Sequence, residues 1–140
     1  MELRIATGED VGNLFEMNEE FNGKNCTTKE LMRSSIDSNE QEVVCIAYID
    51  GVAAGFICGQ SIRSMCYDKC YVEITELYVR EEYRRQGIAT KLINYIENIF
   101  EERNIKEFQL FTGKDNTAAR AFYEKLGYKK IDEVMYKKKL

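Results

Sequence analysis

The stretch Glu76-Leu77-Tyr78-Val79-Arg80-Glu81-Glu82-Tyr83-Arg84-Arg85-Gln86-Gly87-Ile88-Ala89-Thr90 decides how the rest of the chain is read. Its first residues close the run Tyr71–Val79, whose β-branched and aromatic side chains are strand composition. Its last residues open Ile88–Glu102, where Leu92, Ile93, Ile96, Ile99 and Phe100 recur on one helical face. The loop between them carries Arg84, Arg85 and a single glycine, Gly87. A helix start leaves main-chain N–H groups without intrahelical acceptors and bears the positive end of the helix dipole, so it can hold phosphate. Gly87 lets an anion approach the backbone, Ala89 keeps a neighbouring position small, and the arginines add charge. A pyrophosphate is the natural guest. A P-loop would need Gly-Lys-Ser/Thr after a longer glycine loop, and a dinucleotide turn would need GxGxxG; neither is present. A tight turn with surface arginines is the plainer alternative.

Downstream, Phe108–Thr112 is expected as a strand, and Asn116–Leu126 as a helix stopped by Gly127 at its C′ position. Tyr128–Lys137 is expected as a closing strand. Strand, helix and strand from Tyr71 to Thr112 make a right-handed parallel crossover. Upstream, Leu3–Ala6 is a short strand. Thr7 and Asp10 form a capping box before a helix with the stripe Val11, Leu14, Phe15 and Phe21. A second helix runs from Thr27 or Thr28 to about Ile36, with Thr27 and Glu30 as a second box. Val43–Ile49 and Val52–Ile62 form a hairpin through Asp50-Gly51. The fold expected is one α/β (α+β) domain over residues 1–140. Its mixed sheet has six to seven strands, antiparallel first and parallel after, with about four helices.

Composition narrows the chemistry. The chain has 140 residues, 44% apolar and 31% charged, which suits one folded domain. It has no histidine and no proline, so His triads, His metal sites and imidazole acid–base steps are excluded. Net charge is −4, but residues 1–42 carry −6, residues 43–102 carry −3 and residues 103–140 carry +5. An acidic front and a basic back suit two ligands of opposite sign, or simply solvated faces. Nucleic acid is not an expected partner, since the only basic run is Lys137-Lys138-Lys139. Cys26, Cys45, Cys58, Cys66 and Cys70 form no CxxC pair, so no metal is expected, and Cys45 and Cys58 lie in apolar runs as core residues. Met1-Glu2-Leu3-Arg4 shows no leader and no membrane span is visible, so a reducing cytoplasm is the expected compartment.

Arg84-Arg85-Gln86-Gly87-Ile88-Ala89 resembles the pyrophosphate loop of the GNAT superfamily of N-acetyltransferases, Gln/Arg-x-x-Gly-x-Gly/Ala. The block Asn116-Thr117-Ala118-Ala119-Arg120-Ala121-Phe122-Tyr123-Glu124-Lys125-Leu126-Gly127-Tyr128 is similar to that family's Asn-x-x-Ala-x-x-x-Tyr…Gly-Phe/Tyr segment. The blocks lie about one helix and one strand apart, and the element order matches over essentially the whole chain.

The resemblance implies that acetyl-CoA, as co-substrate, lies in a V between a splayed fourth strand, Tyr71–Val79, and fifth strand, Phe108–Thr112. The pantetheine arm would run along Leu77, Tyr78 and Val79 like an added strand. Backbone N–H groups from about Arg85 through Gln86, Gly87, Ile88 and Ala89 to Thr90 would hold the pyrophosphate, with Arg84 beside them. Asn116 and Ala119 would face the cofactor, although capping alone explains Asn116. A main-chain N–H near Leu77 or Val79 would polarise the thioester carbonyl. Tyr123 matches the general acid that protonates the departing thiolate; a packed helical tyrosine is the alternative. Glu73 and Glu76 are the only acids in the strand and so the candidate bases. Glu73, fourteen residues before Gly87, matches the base of histone-acetylating members and is placed first, with Glu76 close behind. Three residues apart, they would face opposite ways unless a bulge intervenes. Glu16, Glu20 and Phe21 are candidates for attracting a cationic amine acceptor, small or peptidic. The activity implied is acetyl transfer to a primary amine in a ternary complex. An aminoglycoside 6′-acetyltransferase-like enzyme and a non-catalytic acyl-CoA sensor are the alternatives. Members of the family often pair through late strands, so a homodimer is a further expectation.

Overall fold

The computed structural model describes all residues, Met1–Leu140. In chain order the elements are β1 (Glu2–Ile5), α1 (Val11–Asn22), α2 (Lys29–Ser38), β2 (Glu42–Ile49), β3 (Val52–Ile62), β4 (Tyr71–Val79), α3 (Ile88–Glu102), β5 (Phe108–Leu110) and α4 (Thr117–Lys125). Short 3₁₀ turns at Gly8–Asp10 and Glu81–Tyr83 precede α1 and α3. The strands form one sheet in the order β1-β2-β3-β4-β5, antiparallel except for the parallel pair β4–β5.

The sheet has two covered faces. On one, α3 lays Ile88, Leu92, Ile93, Ile96 and Phe100 on Val43, Cys45, Ala54, Ile57, Val72, Ile74 and Val79. On the other, Leu14 and Met17 of α1 and Met32 and Ile36 of α2 cover Ile46, Ala53, Phe56 and Cys58. Each large side chain taken out of water here contributes about 1.5–3 kcal/mol, and α3 supplies five of them to one face of the sheet. Cys45 and Cys58 are core residues as read from sequence. The stripe of α1 differs from the expected one: Met17 is buried, while Phe15 is half-buried and Phe21 exposed.

Local signals explain the joints. Asp50 and Gly51 both take positive φ, 49° and 79°, as a tight two-residue hairpin requires. The Thr7–Asp10 capping box forms. Asp10 is buried and receives two hydrogen bonds from Arg4 (2.6 and 2.7 Å), one from the Thr7 N–H (2.8 Å) and one from the Tyr48 hydroxyl, tying β1, α1 and β2 together. At α2 the cap is Thr28, whose hydroxyl accepts from the Leu31 N–H at 3.1 Å; the expected Thr27–Glu30 box does not form, because Thr28 is the last extended residue.

The sheet holds five strands, not six to seven. Phe108–Thr112 is a strand only through Leu110. Tyr128–Lys137 is not a strand at all: after the Tyr128 N–H, which bonds to the Tyr123 carbonyl, the segment makes no backbone hydrogen bond within the chain. A strand exists only by pairing, and this segment pairs with no strand of the sheet.

Candidate active site

β4 and β5 run side by side only from Val72 to Ile74, opposite Phe108 to Leu110. Beyond Ile74, β4 continues for five residues against β3 alone. The Arg80 N–H donates to the Ala54 carbonyl at 2.8 Å, so by strand alternation Tyr78 and Glu76 turn their peptide groups to β3. Leu77 and Val79 turn theirs to the open side. The backbone of Tyr78, expected to line the cofactor, is therefore used by the sheet. On either side of it, the N–H and carbonyl of Leu77 and the N–H of Val79 face the open side. At the top of the gap the Val79 carbonyl accepts from Arg84 Nε at 2.8 Å, which draws the arginine back over the strand end.

The start of α3 lies directly after that gap. Gly87 is its N-cap in the left-handed region (φ 79°), and no side chain caps the helix. The first helical bond is Lys91 N–H to Gly87 carbonyl, so the N–H groups of Ile88, Ala89 and Thr90 have no acceptor in the chain. Arg85, too, takes positive φ (66°), a conformation non-glycine residues avoid unless surroundings demand it. A Cβ built on Gly87 would meet no atom within 4 Å, so the space before these amides is open. Arg84, Arg85, Gln86 and Gly87 are exposed around it. Uncapped amides, a helix dipole, two arginines and open room fit a diphosphate. The unpaired edge beside them fits an extended amide-bearing arm.

A bulge orients the two strand carboxylates. Cys58 pairs with Glu76 and Gly59 with Ile74, leaving Thr75 as the extra residue on β4. The slip reverses the alternation, so Glu73 and Glu76 share the face covered by α1 and α2 instead of opposing each other. Glu73 accepts from Gln109 Nε2 at 3.3 Å, within the paired part of β4 and β5. Glu76 lies past the point where β5 ends. It lines a cleft of about 550 Å³ between α1, α2 and the sheet, with Leu14, Asn18, Asn22, Glu42 and Phe56 among the walls. Burial raises the Glu76 carboxyl above the usual range; Asn22 opposes that shift and the Glu42 charge adds to it. No lysine or arginine lines the cleft.

On the same face Tyr78, Phe21, Glu20 and Arg80 form a joint between α1 and the end of β4. Phe21 stacks on Tyr78 at 5.1 Å, and the Tyr78 hydroxyl donates to Glu20 at 2.9 Å. Arg80 Nη2 lies 3.0 Å from Glu16 and 3.1 Å from Glu20. Glu16 and Glu20, read from sequence as bait for a cation, thus share the charge of Arg80, whose place beside them no local signal marks. Among the strand carboxylates, Glu42 and Glu76 at the cleft, together with Glu73, are free of ion pairs. Glu42 could have been found from sequence only by knowing the register that sets it near Glu76.

Across the sheet, α4 carries Tyr123 against the α3-side core, with Phe122 and Tyr128 edge-on at 5.1 and 5.9 Å. Burial raises the Tyr123 pKa, so the phenol is protonated at neutral pH. Tyr128 is raised further by burial and by its 2.6 Å bond to Glu97. Asn116 caps α4, its side-chain oxygen accepting from the Ala119 N–H at 3.1 Å; Ala119 is half-buried in that first turn. The cap uses the acceptor of Asn116 and leaves its amide donors.

The arrangement has counterparts. A model of the Acetyltransferase (GNAT) family matches residues 11–128. The chain belongs to this family. An "Uncharacterized N-acetyltransferase" of Archaeoglobus fulgidus is 39% identical over 87 residues, which cover 61% of this GNAT chain and 59% of the relative. "N-alpha-acetyltransferase 30" of Schizosaccharomyces pombe is 37% identical over 79 residues, 56% of this chain and 51% of the relative. The chain spans about half to three-fifths of the length of these curated relatives. Among solved structures, AAC(6')-Iy in complex with a bisubstrate analogue, CoA-S-monomethyl-acetylneamine, superposes with TM-score 0.87 at 19% identity, covering 99% of this chain and 97% of that one. That likeness is one of fold. No helix of this GNAT chain is long and apolar enough to cross a membrane.

Proposed function

We propose that this GNAT chain moves the acetyl group of acetyl-CoA to a primary amine by direct attack in a ternary complex. The observation that carries the reading is the juxtaposition of two unsatisfied main-chain surfaces: the β4 edge beyond Ile74 and the uncapped first turn of α3. Buried or half-buried peptide groups without partners are costly, and a ligand with amides followed by a diphosphate pairs both. The pyrophosphate binds the N–H groups from Gly87 to Thr90, with Arg84 and Arg85 beside it. The pantetheine pairs with Leu77 and Val79, and an N–H of that edge polarises the thioester carbonyl.

The acceptor enters from the α1/α2 side, where Glu42, Glu73 and Glu76 favour a cation. An amine arrives largely as ammonium and must lose a proton before it attacks. Glu76, rather than Glu73, fits the role of base. It lies past the end of β5, it faces the cleft, and its raised pKa makes it the better proton acceptor near neutrality. The amine nitrogen then bonds to the carbonyl carbon, the carbon–sulfur bond breaks, and the nitrogen gives up its second proton to solvent, from which Tyr123 is reprotonated after each turnover. Tyr123, protonated and on the α3 side of the sheet, supplies a proton to the thiolate that leaves. Coenzyme A and an N-acetylated amine are the products.

The acceptor classes that fit are a peptide amine, as the name of the Schizosaccharomyces relative suggests, and a cationic small molecule such as an aminoglycoside. Release of free coenzyme A from acetyl-CoA over a panel of N-terminal peptides, lysine peptides, polyamines and aminoglycosides tests the proposal. Turnover with at least one class is expected. Tight coenzyme A binding with no turnover on the whole panel would instead make the chain an acyl-CoA sensor.

A further inference from the structure

The cleft that reaches Glu76 is lined mostly by apolar side chains, and the chemistry above uses none of them. Its floor can be followed across three strands. Val44 of β2 stands opposite Cys58 of β3, and Cys58 stands opposite Glu76 of β4. Directly opposed residues share a face, so these side chains form one row on the side covered by α1 and α2. Neighbouring strands lie about 4.8 Å apart, so the row runs about 10 Å from Glu76 to Val44. Met32 and Ile36 of α2 join the same apolar cluster as Val44. Leu31 lines the cleft as well, with 63% of its surface in water.

Charge and main chain add two constraints. The carboxylates of the cleft are Glu42 and Glu76, with no lysine or arginine beside them. Glu42 already accepts from the Ser35 hydroxyl at 2.6 Å, so Glu76 is the carboxylate that ends the apolar row. The floor strands β2 and β3 are paired on both sides and offer an incoming peptide no free edge. The free edge of β4 beyond Ile74 is assigned to the pantetheine. Recognition in the cleft is therefore by side chains.

We infer that the cleft is a site for a free primary amine with one positive charge and an apolar substituent, alkyl or arylalkyl, up to about 10 Å long. Its nitrogen sits at Glu76, and its substituent lies along Cys58 and Val44 toward Leu31 and Met32. That this amine is the acceptor rests on the acetyltransferase reading. Burying an apolar substituent on this floor releases water from both surfaces. The hydroxyls of a sugar amine, or a second ammonium over Cys58 and Val44, would lose hydration there without a partner.

Binding and turnover are read separately. Calorimetric titration of the whole chain with butylamine, hexylamine and octylamine should show Kd falling about two- to fourfold for each added methylene. Diaminooctane and an aminoglycoside should bind more weakly than octylamine. Leu31→Gln, at an exposed position, should keep its circular dichroism and weaken octylamine binding about fivefold. Release of coenzyme A from acetyl-CoA reports turnover. Octylamine that binds in this pattern without being acetylated would refute the acetyltransferase reading and uphold the ligand class of the cleft. A Kd that ignores chain length would overturn the inference. So would octylamine affinity unmoved by Leu31→Gln, which would place the binding elsewhere. An aminoglycoside, a diamine or an N-terminal peptide acetylated with a higher kcat/KM than octylamine would overturn it too, while upholding the reading.

Discussion

Replacing Gly87 with glutamate places a carboxylate where the diphosphate is proposed to bind. Two costs separate cleanly. The first is conformational: Gly87 has φ 79°, and a side chain there costs about 1–2 kcal/mol in the left-handed region. No atom lies within 4 Å of the new Cβ, so no clash adds to it. The second is electrostatic. A carboxylate about 6 Å from each of two phosphate charges is repelled by about 0.7–3 kcal/mol per pair at effective dielectrics between water and a protein surface. Together the two pairs weaken coenzyme A binding by about 1.4–5.5 kcal/mol, at least about tenfold. Gly87→Ala carries the first cost without the second. Its melting temperature should fall by about 3–6 °C with coenzyme A affinity changed less than about threefold. Isothermal titration of both variants with coenzyme A, beside a thermal melt of each, reads the two effects apart. A folded Gly87→Glu protein that binds coenzyme A as the wild type does would refute the placement of the phosphates.

Other consequences follow from the same geometry. Tyr123→Phe should lower kcat by about 10²–10⁴-fold while leaving the KM for acetyl-CoA nearly unchanged, as steady-state kinetics would show. With Glu76 as base, the rate should rise with pH through a value above that of an ordinary glutamate, and Glu76→Gln should abolish that limb of the pH–rate profile. Asp10→Ala should destabilise the fold by about 2–3 kcal/mol, toward the low end of what loss of a buried pair costs because Arg4 keeps a third of its side chain in water. Burial works to raise the Asp10 pKa, but hydrogen bonds from Arg4, Tyr48 and Thr7 hold it below the usual carboxylate value of 3.8. Its contribution is therefore present above that value and lost as pH falls through the lower folded value. Urea denaturation should find wild type and variant converging only in strong acid.

What could be read from the sequence was what local chemistry dictates. Tyr71–Val79, Val52–Ile62 and Ile88–Glu102 match the structure at both ends, because each is bounded by a residue that stops or starts it: the Asp50-Gly51 turn, and Gly87 before α3. The phosphate turn was legible for the same reason, since a glycine before an amphipathic helix is a local signal. Pairing is not local. Whether Tyr128–Lys137 is a strand depends on a pairing the sequence does not specify, and the segment pairs with none of the five strands. The face of Glu73 and Glu76 hung on a bulge at Thr75, and the β4 and β3 sequences carry no mark of it beyond Gly55 and Gly59 nearby. At Gly55 an added Cβ would come within 2.6 Å of the Tyr78 carbonyl, so β3 needs glycine to lie close to β4 beside the gap. The partnership of Arg80 with Glu16 and Glu20 joins residues some sixty positions apart and is visible only in three dimensions.

A titration of ¹⁵N-labelled protein with coenzyme A, followed amide by amide, tests the central claim most directly. The N–H signals of Gly87, Ile88, Ala89 and Thr90 should move with those of Leu77 and Val79, while β1 and β2 stay still. Saturating coenzyme A that leaves these six amides where they were, or that moves a different surface, would contradict the account.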